Sequence, residues 1–112
     1  MVNQEILDAI THYIQKVRQA GIDVATAVLF GSFYQGTATA DSDIDLIVIA
    51  PEFDQQNESQ VNLLWELRAF ADPRIEPIAC GSRQWVEDNA SPILSIARNN
   101  GVVVPFDQMT IA

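Results

Sequence analysis

Residues 28–50 read VLFGSFYQGTATADSDIDLIVIA. An apolar run ending at Phe30 breaks at Gly31-Ser32, and a segment rich in Gly, Ser, Thr and Ala follows as far as Ser42. A second apolar run, Ile44 to Ala50, closes at Pro51 and carries a single acid, Asp45, inside it. Short apolar runs bounded by Gly, Ser and Pro predict two β-strands, Ile22–Phe30 and Ile44–Ala50, joined by a loop with room for one short helix.

The same stretch holds a candidate site. A Gly-Ser turn coming off a strand exposes backbone N–H groups and a hydroxyl in a concave anion site, which suits phosphate oxygens. Gly31 has no Cβ to keep a ligand away from the backbone. Asp43 and Asp45 are two residues apart, so their carboxylates leave one face of the strand, with Cα atoms roughly 6.5–7 Å apart. Such a pair can converge on two cations about 3.5–4 Å apart, the arrangement used for in-line phosphoryl displacement. Mg²⁺ is a hard cation that prefers oxygen ligands. Asp45 lies between Ile44 and Leu46, where an unpaired carboxylate is costly to bury. No basic residue occurs between Arg18 and Arg68, so cations from solution are the economical partners. Glu76 is the candidate third acid. It stands alone in Arg74-Ile75-Glu76-Pro77-Ile78, and it reaches the same cations if that segment pairs beside Ile44–Ala50.

Outward from this centre, Ile6, Leu7, Ile10, Tyr13, Ile14 and Val17 recur at three- and four-residue spacings. They predict an amphipathic helix from Gln4 to about Ala20, capped by Asn3 and ended by Gly21. Val61, Leu64, Trp65, Arg68 and Ala71 trace a second helical stripe, which Asp72-Pro73 stops. Ile75 to Cys80 is a short strand whose Pro77 points to an edge or a strand end. Ser82 and Ser91 are expected to cap two short helices, with Pro92 at a first helical position. Val102 to Val104 forms a last strand or extended tail. The expected architecture is α/β or α+β: one domain over residues 1–112, with helices against a small mixed sheet.

Composition narrows the function classes. Of 112 residues, 6 are basic and 15 acidic, for a net charge of −9. Nucleic-acid affinity depends on Lys and Arg neutralising phosphates, so direct binding to DNA or RNA is not expected. An anionic membrane surface is disfavoured in the same way. The longest apolar run, Leu46 to Ala50, is too short to span a bilayer. A single cysteine, Cys80, and an N-terminus without a signal-peptide pattern lead to an expected cytoplasmic location.

The Gly31-Ser32 pair, the ten residues after Ser32, and Asp43-x-Asp45 within Asp41-Ser42-Asp43-Ile44-Asp45-Leu46 resemble the signature of the DNA polymerase beta-like nucleotidyltransferase superfamily. The short chain resembles the minimal nucleotidyltransferase branch, including the MntA-type antitoxins paired with HEPN toxins. The likeness runs from about Val24 to Cys80, and the later helices fit it. It implies a polymerase-beta-like palm, with Mg²⁺, two ions per site, held by Asp43, Asp45 and Glu76. It also implies Gly31, Ser32 and Ser42 as nucleotide-binding residues and ATP as the donor of AMP. The acceptor it implies is a tyrosine of a HEPN-type toxin. Where many relatives carry a basic residue after the Gly-Ser pair, this chain has Phe33, Tyr34 and Gln35. Arg74 and Arg83 are the candidate substitutes. The competing expectations are an antitoxin that neutralises by binding alone, and transfer to a small molecule or RNA.

Other residues read more plainly. Gly81-Ser82 repeats the Gly-Ser pair with no Asp-x-Asp after it. Asp41 is a turn residue, His12 a surface histidine, and Cys80 a buried small apolar residue. Trp65 and Trp85 are core or interface anchors. Glu52, Asp54 and Glu58 are expected to form a solvated acidic face.

Overall fold

The computed structural model describes residues 3–39, 41–55 and 57–105. Its first helix, α1 (Gln4–Gln19), buries Ile6, Ile10, Tyr13, Ile14 and Val17, the face set by the sequence periodicity. The Asn3 side chain accepts from the Glu5 N–H at 2.7 Å, satisfying a donor the first turn leaves orphaned. The chain then runs through β1 (Thr26–Phe30), α2 (Ser32–Gln35), β2 (Ile44–Ala50), a 3-10 turn (Pro51–Gln55) and α3 (Glu58–Leu67). A second 3-10 turn (Arg68–Phe70), β3 (Ile75–Gly81), α4 (Ser82–Glu87), α5 (Pro92–Asn100) and the two-residue β4 (Val102–Val103) complete it.

The strands form one mixed sheet in the order β3-β2-β1-β4. β1 pairs antiparallel with β2 and with β4, whereas β2 and β3 run parallel. A parallel pair requires a crossover, and α3 supplies it. Pro77 sits within β3, which is tolerated because β3 is an edge strand. β2 is flanked on both sides by strands and covered on both faces, so it reads as a continuous apolar run. Ile44, Leu46, Val48 and Ala50 join the larger core under α1 and α3. Ile47 and Ile49 face the opposite way and pack with Val28, Phe30, Cys80, Leu94 and Ala97. Tyr13 donates its buried hydroxyl to the Leu64 carbonyl at 2.6 Å, pinning α1 to α3.

Three expectations are corrected. The strand expected over Ile22–Phe30 starts at Thr26; Ile22 and Val24 are buried, but in a turn in which the Val24 N–H donates to the Ile22 carbonyl. Ser82 is the first residue of α4, and Gly81 holds the capping position. The cap is supplied across the chain by Asp54, whose oxygens accept from the Arg83 and Gln84 N–H groups at 2.9 and 3.1 Å. Glu52 and Asp54 are therefore not a solvated face. Glu52 accepts from the Asp23 N–H at 2.9 Å, and of the three acids only Glu58 is left exposed at its helix start.

Candidate active site

The sheet register assembles the acids. Ile44 pairs with Ile75, which sets Asp45 directly opposite Glu76 on the neighbouring strand. Asp45 also faces Phe30 of β1, so β1, β2 and β3 all meet at this level. Asp43 lies two residues before Asp45, exposed at the start of β2. The strand adjacency on which Glu76 depended is thus present.

Gly31 follows Phe30 with φ 78° and ψ −149°, a region that essentially only glycine occupies. A Cβ there would overlap the Asp45 carboxylate. The glycine therefore does two things: it turns the chain into α2, and it leaves room for the acid. Ser32 opens α2 immediately beside this contact.

The acids strain one another electrostatically. Burial raises the Asp45 carboxyl above its ordinary range, and the nearby Asp43 charge adds to the effect. Glu76 is also raised, first by a hydrogen bond with the Asp43 side chain, then by desolvation, then by the charges of Asp43 and Asp45. Arg68 pulls Glu76 the other way. Among the described residues, no three His, Cys, Asp or Glu side chains stand in the geometry of a metal cluster. The donor chemistry nonetheless fits a hard divalent cation: three carboxylates at one end of adjacent strands, two of them destabilised by burial and by one another.

The other candidates fall in different places. Ser42 closes a turn: its hydroxyl accepts from the Thr39 N–H at 2.8 Å, and its own N–H donates to the Thr39 carbonyl at 3.1 Å. Arg83 lies on α4 and pairs with Glu87 at 3.6 Å. Arg74 is gripped by Asp72 and lies over the Phe33 ring, 5.9 Å from its centroid. The cation that acts on Glu76 is Arg68, which also donates to the Pro73 carbonyl at 2.6 Å and stacks on Trp65. Arg68 was counted only as part of a helical stripe in the sequence; nothing local marks its reach to β3. A second Gly-Ser phosphate site at Gly81-Ser82 is ruled out by geometry, since Asp54 already takes the helix-start donors there. A cleft of about 590 Å³ lies toward the other end of β3, lined by Phe53, Ala79 and Gln84 among others, and does not include the acids.

The family profile described as "Nucleotidyltransferase domain" matches residues 10–79, a span containing Gly31, Ser32, Asp43, Asp45 and Glu76. The chain belongs to the nucleotidyltransferase domain family. This nucleotidyltransferase-family chain shares its fold with a protein from Sulfolobus solfataricus assigned as a nucleotidyltransferase. That match has 14% identity, 88% of this chain and 78% of the other covered, and a TM-score of 0.61. It is also similar to a chain of a toxin–antitoxin structure solved with AMP-PNP, at 24% identity, 88% and 75% coverage and a TM-score of 0.59. At these identities the likeness is one of fold. No curated protein matches the sequence.

Proposed function

We propose that residues 1–112 act as a single cytoplasmic minimal nucleotidyltransferase domain that moves AMP from ATP onto a tyrosine hydroxyl of a HEPN-type toxin, as its antitoxin. The observation that carries this reading is the register that sets Asp45 opposite Glu76, with Asp43 two residues earlier and Gly31 cut away to admit the Asp45 carboxylate. The toxin–antitoxin neighbour, solved with the ATP analogue AMP-PNP, supports both the donor and the class of partner.

In this reading Asp43, Asp45 and Glu76 hold Mg²⁺, and Gly31, Ser32 and Ser42 hold the nucleotide. When bound, the cations would neutralise triphosphate charge and stabilise an in-line displacement. The tyrosine oxygen forms a bond to the α-phosphorus. The bond from that phosphorus to the bridging oxygen breaks, and pyrophosphate leaves with the electron pair. The phenolic proton passes to a carboxylate of the cluster, which acts as general base. N–H groups at the start of α2 hold phosphate oxygens in place while this happens.

The test is to incubate the chain with labelled ATP, Mg²⁺ and the product of the neighbouring gene. Label is expected on that product, and is expected to be lost with Asp43→Asn. An unlabelled product in the wild-type reaction contradicts the proposal. A second reading, neutralisation by binding alone, is favoured by Phe33, Tyr34 and Gln35 standing where many relatives carry a basic residue. It predicts that Asp45→Asn still neutralises the toxin, whereas a catalytic antitoxin loses that ability.

A further inference from the structure

Although Phe33, Tyr34 and Gln35 leave no basic residue directly after Gly31-Ser32 in sequence, a cation stands beside that turn in space. The Arg74 guanidinium lies over the ring of Phe33, the second residue of α2. Asp72 fixes its plane: Arg74 Nε donates to Oδ1 at 3.1 Å and Nη2 to Oδ2 at 2.8 Å, while the Arg74 backbone N–H donates to the same Oδ1 at 2.9 Å. A two-pronged fork holds a guanidinium in one orientation, which an ammonium cannot reproduce. The main chain of Arg74 has a separate role. Its carbonyl accepts from the Ile44 N–H at 2.8 Å, at the start of the β2–β3 pairing that sets Asp45 opposite Glu76.

The surroundings argue against Arg74 being chiefly a phosphate ligand. The charges that act on it include Asp72, Glu5 of α1 and Asp41 of the loop, so its own charge is already matched. With Asn3, Glu5, Phe33 and Thr39 it lines a cleft of about 300 Å³ between the start of α1 and the loop that precedes β2.

We propose that Arg74 is a positioning residue: its carbonyl helps set the register of the acid-bearing strands, and its side chain, clamped by Asp72, holds Phe33 and with it the Gly31-Ser32 turn. One residue thereby ties the phosphate half of the site to the carboxylate half. This rests on the proposed role of Gly31-Ser32 in nucleotide binding. Loss of the clamp leaves the turn to be ordered by the nucleotide itself, which weakens binding.

Titration of the full chain with ATP in Mg²⁺ tests this, because Asp72→Asn gives opposite signs for the two explanations. Removing a negative charge near the turn would by itself tighten binding of an anionic nucleotide. Loss of the clamp instead weakens it, by about tenfold. Arg74→Lys keeps the charge but gives up the fork, and is expected to lose as much. The double variant should be no worse than either single change, because the two side chains act as one unit. Phe33→Leu is expected to give the same loss should either of the others fail to fold. Thermal melts identify the folded variants. Unchanged or tighter ATP binding by folded Asp72→Asn and Arg74→Lys overturns this proposal alone. Failure of the wild type to bind ATP in Mg²⁺ overturns the nucleotide reading and this proposal with it.

Discussion

Gly31 and Gly36 both lie at positive φ, 78° and 79°, yet a side chain would meet very different surroundings at the two positions. At Gly36 nothing stands within 4 Å of an added Cβ; at Gly31 the Asp45 carboxylate fills the space. Gly36→Ala should therefore cost only backbone strain, about 1–2 kcal/mol, with transfer activity kept. Gly31→Ala is expected to cost about 1–3 kcal/mol in strain and, by displacing Asp45, to lower transfer at least about 100-fold. Urea unfolding and label transfer on both variants check the contrast; equal activity in the two would remove the significance of the Gly31–Asp45 contact. Asp45 itself should show the opposed signs of a functional site. Its folded-state pKa is raised, chiefly by burial, so its charged form disfavours the fold. Any stability it contributes is present below the unfolded value and is lost as pH rises through the folded one. At neutral pH in EDTA, Asp45→Asn is accordingly expected to raise Tm, and in Mg²⁺ it is expected to abolish transfer. A lower Tm would mean that the carboxylate is stabilised by a partner within the fold.

At the scale of elements, short pieces of structure are held by side chains from distant parts of the chain. α4 is six residues long and takes its cap from Asp54, on the 3-10 turn after β2. Asp54→Ala is expected to cost about 1 kcal/mol, read as a lower urea midpoint with unchanged slope. The Asp72–Arg74 clamp gives a signature in acid. The hydrogen bond from Arg74 holds the Asp72 carboxyl below the usual range, so its contribution is full above the unfolded value of about 3.9 and is lost as pH falls through the folded one. Arg74→Met should thus narrow the stability difference between neutral and acid solution. An unaltered pH dependence of Tm would contradict the clamp. These braces also explain what the sequence made legible and what it did not. α1, β2 and the apolar stripe of α3 follow from local spacing and an Asn cap, whereas the helix expected to run up to Asp72-Pro73 ends at Leu67 and tightens into a 3-10 turn over Arg68–Phe70. Asp45 stood out for a local reason too, as a charge inside an apolar strand. Glu76 could be nominated but not placed, because strand order is a long-range property. The Asp54 cap spans 29 and 30 residues to its donors, so no local pattern announces it. Ile22 and Val24 misled because burial in a turn looks the same as burial in a strand when only residue type is visible.

At the scale of the molecule, two apolar layers clamp the sheet and leave the acids at one end of it. Among the described residues no helix is long and apolar enough to cross a membrane. A net charge of −9 disfavours polyanionic macromolecular partners and suits a partner surface that presents basic residues. The cluster of Asp43, Asp45 and Glu76 adds to that negative field while unneutralised, and divalent cations would relieve it. The most direct test of the central claim is Mn²⁺ paramagnetic resonance on the full chain with ATP. Mn²⁺ and ATP are expected to bind together, with Mn²⁺ lost in Asp45→Asn and weakened in Glu76→Gln. Failure of the folded wild type to retain Mn²⁺, or retention undiminished when Asp45 and Glu76 are both replaced, would contradict the account.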